Sequence, residues 1–436
     1  MISLEQIFSD TVDDAFVSDS LSTQAKTMTA SKILEIAYAV KAAIARGERV
    51  ANFTVGDFAP SQFQIPTLLK DGIIEAVKAD QTNYPPANGT PELRAAIIRH
   101  YERQLGLSFP LESVVVASGA RPVLYATYQC LVDPGETVVS PAPSWNNTNF
   151  CQLVGGRHVS VPTRPEDGFM PTADTLAPVI GDARLLVLCS PMNPAGTLIS
   201  HEQLKEICEL VVAENQRRAA TGRRRLFMIF DQVYWMLTFG DNVHVTPQGV
   251  HPEIAPYCIL TDAVSKSFAG TGLRVGWAVA PPFLADKIKS LMTHMGAWAP
   301  KPEQVGTTQL LDDPGAIDAF IAQFTAQVRT RLGALYEGFL SMKGDGLPVD
   351  TIRPQGAIYL SAFIDYTKLE GINGESELVQ LLLEEAGCAV VPFSAFGDDV
   401  NSGWFRFSVG AVTDQEIADV LPRVRQVLEK RVQSLG

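Results

Sequence analysis

Between about residues 112 and 280, short apolar runs end abruptly in small polar residues, and helical segments often follow them. The clearest runs are Val114-Val-Val-Ala-Ser118, Leu185-Leu-Val-Leu-Cys-Ser190, Leu226-Phe-Met-Ile-Phe-Asp231 and Cys258-Ile-Leu-Thr-Asp262. They are apolar throughout instead of alternating, the pattern of strands buried on both faces of a largely parallel sheet. Ser200 and Gln203 make a capping box that opens a helix over Leu204 to Ala213. Pro122 falls in the first turn of the helix expected after Ser118, where proline is tolerated. This rhythm predicts an α/β fold with a mostly parallel central sheet flanked by helices.

After about residue 310 the rhythm changes. An amphipathic helix is predicted from Ala316 to about Leu340, then glycine and proline punctuation near 344–356. Shorter strands follow at Ala357 to Phe363, Cys388 to Val391 and Trp404 to Val409. A second capping box, Thr413 with Glu416, starts a last helix reaching about 434. The expected layout is an N-terminal arm contributing to a small domain (1–55), a large domain (56–310) and a smaller α+β C-terminal domain (311–436).

Composition narrows the partners. The 436 residues are 46% apolar and 19% charged, enough for a large core without disulfides or metals. A net charge of −13 makes a poor phosphate-backbone binder, so nucleic acid is not an expected partner. The basic run Asn215 to Arg225 reads as a solvated helix end and loop. None of the six cysteines forms a CxxC pair, which fits a reducing compartment. Met1 to Thr27 carries five acidic residues and no apolar h-region, and no run approaches a membrane span. A soluble, cytoplasmic protein is expected, with no membrane partner. The six histidines are scattered without ligand spacing, so no metal site is expected. GxSxG, HExxH and GxxxxGK[ST] are all missing.

In an open parallel sheet, ligands bind at the carboxyl ends of the strands. The polar residues expected there are Ser118 to Arg121, Ser144 with Trp145, Asn193, Asp231 with Tyr234, and Ser265 with Lys266, followed by Arg274. Asp231 ends five apolar residues, where an isolated carboxylate needs a cationic or N–H partner; capping the next element would also explain it. Most lysines are solvated, but Lys266 lies in a Gly/Ser-rich segment just past a core strand, where a desolvated amine of lowered pKa is plausible.

In order and spacing these motifs, from Phe53-Thr-Val-Gly56 to Arg406, resemble the fold-type I pyridoxal phosphate (PLP) enzymes, specifically the class I/II aminotransferases of the aspartate aminotransferase family. The resemblance implies that Lys266 forms the imine with the cofactor aldehyde and then shuttles a proton. It implies that Asp231 keeps the pyridine nitrogen protonated, that Tyr234 and Asn193 bind the phenolic oxygen, and that Trp145 stacks on the ring. Gly119 and Ala120 at a helix start, with Ser118, Ser265 and Arg274, would hold the phosphate. Tyr84 matches the tyrosine that reaches the neighbouring subunit's phosphate, implying a homodimer with shared active sites. Arg406 matches the clamp for the substrate α-carboxylate, and Gly56 the glycine whose backbone borders the substrate.

The sequence departs from the family pattern at three places. Ala263 stands where a phosphate-binding Ser or Thr is common, Gly296 to Gln304 replaces a Ser/Asn-rich segment bordering the partner's pocket, and the N-terminal arm is long. Arg121 sits where some bacterial relatives place a cation for an acidic substrate; pairing with a nearby acid at the helix start is the other reading. The implied activity is ping-pong transfer of an amino group from an amino acid to a 2-oxo acid, with aspartate or glutamate as candidate substrates. A β-lyase or synthase on the same scaffold is the nearer alternative. A non-enzymatic regulator is the farther one, because the first 55 residues are too short and acidic for a DNA-binding domain.

Overall fold

The computed structural model describes residues 4, 8, 12–28 and 32–432. After a helix over Lys32–Ala45, the chain enters β1 (Ala51–Asn52) and then the large sheet. That sheet contains β2 (Val114–Ala117), β3 (Thr137–Ala142), β4 (Arg157–Pro162), β5 (Ala183–Cys189), β6 (Phe227–Asp231), β7 (Cys258–Ala263) and β8 (Gly276–Val279), in the order β2-β8-β7-β6-β5-β3-β4. All are parallel except β8, which runs antiparallel to β2 and β7. Neighbouring residues of one strand face different cores. Leu186, Met228 and Leu260 join one apolar cluster, while Leu185, Val187, Phe227 and Ile259 join another on the opposite face. Two covered faces explain why these runs carry no polar alternation. β4 sits at the sheet edge with only Val161 buried, so its mixed sequence gives no such signal.

A separate core forms the smaller unit. β9 (Val349–Thr351), β10 (Tyr359–Ile364), β12 (Val391–Pro392) and β13 (Trp404–Ser408) make an antiparallel sheet of order β12-β13-β10-β9. β11 (Cys388–Ala389) pairs in parallel with β1, so residues near 51 are stitched to the C-terminal part of the chain. The run expected as one strand over Cys388 to Val391 is thus split, its halves serving different partners. Ala51, Phe53, Phe58 and Phe63 share a core with Phe324, Phe339, Leu360, Phe407 and Leu428.

The helix Pro314–Gly344 joins the two cores. Ile317 packs with the large sheet, while Phe324, Val328, Leu332, Leu335, Phe339 and Met342 pack in the smaller unit. Both capping boxes form: Ser200 with Gln203, and Thr413 with Glu416. The last helix is Asp414–Arg431, and its expected end near 434 lies outside the described residues. The first capping box opens a longer helix than expected, His201–Ala220. The basic run is a largely solvated helix end and loop, as expected, except at two positions. Asn215 and Arg218 are buried, with Arg218 Nε 2.5 Å from Glu214 and Nη2 on the Ile180 and Gly181 carbonyls.

Candidate active site

A cavity of about 720 Å³ opens at the carboxyl ends of β5, β6 and β7 and extends to the smaller unit. Its walls include Gly56, Ala120, Arg121, Trp145, Asn193, Asp231, Tyr234, Ser265, Lys266, Arg274 and Arg406. Local structure places each group. β7 ends at Ala263 and runs into one helical turn, Val264–Ser267, which turns Ser265 and Lys266 toward the cavity. Asp231 closes β6, between Cys189 of β5 and Thr261 of β7. Arg406 comes from the middle of β13, opposite Ser361 of β10.

None of the charged groups lining this cavity has an opposite charge within ion-pair distance among the described residues. The Lys266 Nζ donates to the Gly56 carbonyl and lies 5.7 and 5.8 Å from the Phe58 and Tyr234 ring centroids. Burial pushes this amine down to about 8; Asp57 opposes the shift, and the cations Arg406, Arg121 and Arg274 add to it. Burial likewise pushes the Asp231 carboxyl up to about 6, against the Val233 N–H that donates to it at 3.2 Å. Arg406 is 2% exposed; its Nη1 donates to Asn193 Oδ1 at 3.0 Å, its Nη2 to the Thr54 carbonyl at 2.6 Å, and its Nε has no partner. The Tyr359 and Phe396 rings flank the guanidinium at 4.7 and 4.8 Å.

The opposite wall is built for an anion. Helix Ala120–Leu131 starts here, so the amides of its first turn lack intrahelical partners. The Gly119 amide is not one of these donors, because it is used on the Ala117 carbonyl at 2.7 Å. Arg274, at φ +57°, donates to the Thr271 carbonyl at 2.6 Å and the Ser118 carbonyl at 3.0 Å. Gly119 makes this approach possible, since a Cβ there would lie 2.2 Å from Arg274 Nη2. Ser118 and Gly119 therefore shape the wall by their backbone. Arg121 faces the cavity with its Cζ 4.6 Å from the Trp145 ring centroid, and no acid pairs with it among the described residues.

Tyr84 stands apart. It is 82% exposed, edge-on to Trp298 at 5.0 Å, and does not line the cavity. Conversely, the structure adds Tyr359, whose hydroxyl lies 2.5 Å from that of Tyr234, and Asp57, which accepts from Thr271 Oγ1 at 2.5 Å. Gly56 is glycine for this reason: a Cβ would come within 3.0 Å of the Tyr359 hydroxyl. Asp57 follows Gly56 directly and could have been found by reading one residue further.

The family model for aminotransferase class I and II matches residues 48–424. The chain belongs to that family. Among relatives, a probable aspartate/prephenate aminotransferase of Aquifex aeolicus is 29% identical over 413 residues, 94% of this chain and 99% of that one. The aspartate aminotransferase of Thermus thermophilus, solved with maleate, superimposes with a TM-score of 0.84 at 26% identity, covering 94% of this chain and all of that one. That of Rhizobium meliloti gives 0.86 at 25%, covering 95% and 100%. This aminotransferase has the fold-type I architecture and uses pyridoxal phosphate. The donor set fits that group: a buried carboxylate without a cation, a buried amine of lowered pKa, and a helix start beside a guanidinium. Among the described residues, no helix is long and apolar enough to cross a membrane, and no cluster of His, Cys, Asp or Glu could hold a metal ion.

Proposed function

We propose that this aminotransferase moves amino groups between acidic amino acids and 2-oxo acids, with Lys266 as its catalytic amine. The observation that carries the reading is the convergence of Lys266, Asp231 and Arg406 in one cavity, none in an ion pair among the described residues. Bound there, pyridoxal phosphate supplies an aldehyde that condenses with amines and a ring that accepts the electron pair left at the substrate α-carbon.

The residues around it divide the remaining work. With the cofactor bound, Asp231 would keep the pyridine nitrogen protonated, and that cation would satisfy the buried carboxylate in return. The first-turn amides from Ala120, with Arg274 and Ser265, hold the phosphate. Trp145, in the cavity wall, would stack on the ring. Asn193 gives its Oδ1 to Arg406, which leaves its Nδ2 to donate to the phenolic oxygen beside Tyr234. Arg406 receives the substrate α-carboxylate, the anion its buried guanidinium lacks. With the cofactor bound, the Lys266 amine would take the substrate α-proton and hand it on, a role that needs an amine titrating near neutrality.

Arg121 distinguishes the substrates. Its guanidinium lines the cavity and has no acid partner among the described residues, so a second carboxylate on the substrate would complete it. Support comes from relatives named for aspartate and prephenate, and from a neighbour solved with the dicarboxylate maleate. A homodimer in the cytoplasm completes the proposal, with Tyr84 reaching the partner's phosphate site from its exposed position.

The test is a half-reaction screen on the PLP-loaded enzyme, following cofactor absorbance as single amino acids are added without a 2-oxo acid. Aspartate or glutamate is expected to convert the cofactor fastest. Arg121→Ala is expected to lower kcat/KM for the acidic donor by about 10- to 100-fold relative to alanine, the worth of a charge-assisted contact. An unchanged ratio would refute the dicarboxylate assignment. Release of pyruvate and ammonia without an acceptor would instead identify a lyase.

A further inference from the structure

At the other end of the large sheet, the amino ends of β3, β4 and β5 border a second cavity of about 410 Å³. Thr137 and Arg157 begin β3 and β4, and Ala183 with Arg184 begins β5. Arg218 comes from the last turn of helix His201–Ala220, and Arg223 and Arg224 from the loop after it. Five guanidinium groups and two carboxylates, Glu136 and Asp182, therefore line it, with Glu214 and Asp133 pairing with Arg218 and Arg224 from beside it, in a chain whose net charge is −13.

Their hydrogen bonds show which groups still have capacity. Arg218 is committed to Glu214 and to the carbonyls of Ile180, Gly181 and Arg224. Arg224 is held by Asp133 and Glu136. Arg184 is different. It is more than nine-tenths buried, its Nη1 donates to the Arg225 carbonyl, and its Nε has no hydrogen-bond partner. The closest acid, Glu136 Oε2, stands 3.8 Å away and already accepts from the Asp133 N–H at 2.8 Å. Arg157 spends one donor on Thr137 Oγ1 at 2.6 Å, and Arg223 only approaches the exposed Asp182 at 3.7 Å. Burial, then repulsion from Arg224, pushes the Arg184 guanidinium down to about 10. A buried cation with an open donor, crowded by other cations, is stabilised by an anion that meets it in hydrogen-bond geometry.

We propose that this cavity binds a small phosphate-bearing anion, held by Arg157, Arg184 and Arg223. Paired N–H donors of guanidinium groups match phosphate oxygens bidentately. The lining contains no aromatic side chain to stack a nucleobase, so the ligand is a phosphate ester or pyrophosphate-like group without a base. Its volume suits a small molecule, and Asp133, Glu136 and Asp182 at its border discourage a nucleic-acid backbone.

Titration calorimetry of the PLP-loaded enzyme with pyrophosphate, in roughly physiological salt, tests the site while the cofactor fills its own phosphate wall. Saturable binding of one pyrophosphate per chain is expected. Arg184→Gln and, separately, the more exposed Arg223→Gln should each weaken it by about tenfold or more. Arg164→Gln, an exposed arginine paired with Asp167, should leave it unchanged. Should Arg184→Gln fail to fold, Arg223→Gln and Arg157→Gln decide the matter. Absent saturation, parental affinity in the variants, or displacement of the cofactor by pyrophosphate would each overturn the assignment.

Discussion

A buried carboxylate without a cation is a liability that a cationic ligand removes, and Asp231 makes this measurable. In the cofactor-free protein its carboxyl keeps its proton up to about pH 6, whereas an unfolded aspartate releases it near 3.9. Between those values the folded state binds more protons. Stability therefore falls as pH rises through that window and stays lower above it. Asp231→Asn is expected to stabilise the cofactor-free protein by on the order of 3 kcal/mol at pH 8 but not near pH 4, while lowering transamination by a hundredfold or more, on the order of a lost charge stabiliser. Urea melts at both pH values check the first outcome, and the half-reaction rate checks the second. Lys266 gives the complementary prediction. Uptake of PLP by the cofactor-free protein needs the neutral amine, so its rate should climb about tenfold per pH unit and level off above about 8. A rate still climbing near pH 10 would mean an ordinary solvated lysine. Both residues were legible in sequence because each ends or follows an apolar run, where a charge is out of place. Tyr359 was not, because it lies within a run that reads as core and its partner Tyr234 is 125 residues away.

Among the elements, the helix Pro314–Gly344 joins the part of the chain that carries Lys266 to the part that carries Arg406. Its buried positions 324, 328, 332, 335, 339 and 342 recur every three or four residues, which made the helix readable from the apolar spacing. Phe339 lies fully buried against Phe407, at 5.1 Å between ring centroids and one residue from Arg406. Phe339→Ala should destabilise the protein by about 3–5 kcal/mol, read as a lower urea midpoint with an unchanged slope. Because β13 then loses support, KM for the amino acid should rise more than kcat falls. The fully buried strands were equally legible. Edge strand β4 was not, since only Val161 is buried and its residues carry no apolar run, and the break between β11 and β12 depends on two different partners. The basic run near 215–225 was legible as a largely solvated helix end and loop, but charge alone does not reveal that Glu214 and the carbonyls of Ile180 and Gly181 bury Arg218.

At the scale of the whole molecule, the clearest unsatisfied surface surrounds Tyr84. An aromatic ring 82% exposed, braced edge-on by Trp298, is poorly explained by one chain alone. Trp298 belongs to the segment Gly296 to Gln304, and Lys301 Nζ donates to Asn83 Oδ1 at 2.8 Å, so this segment and the tyrosine loop form one unit. Both were assigned to the partner's pocket by resemblance, and the fold brings them together on one surface. If each cavity borrows this tyrosine from a second copy, two defective variants should complement one another. Lys266→Ala removes the amine from its own cavity but still lends a tyrosine; Tyr84→Ala keeps the amine but lends none. Mixed dimers then hold one intact site and one doubly defective site. Unfolding and refolding the two variants as an equimolar mixture should restore roughly a quarter of the parental activity, since about half of randomly paired dimers are mixed and each has one working site of two. The measurement is PLP-dependent turnover against each variant refolded alone. If the mixture gives only the average of the separate variants, Tyr84 acts within its own chain and the shared-site dimer is wrong.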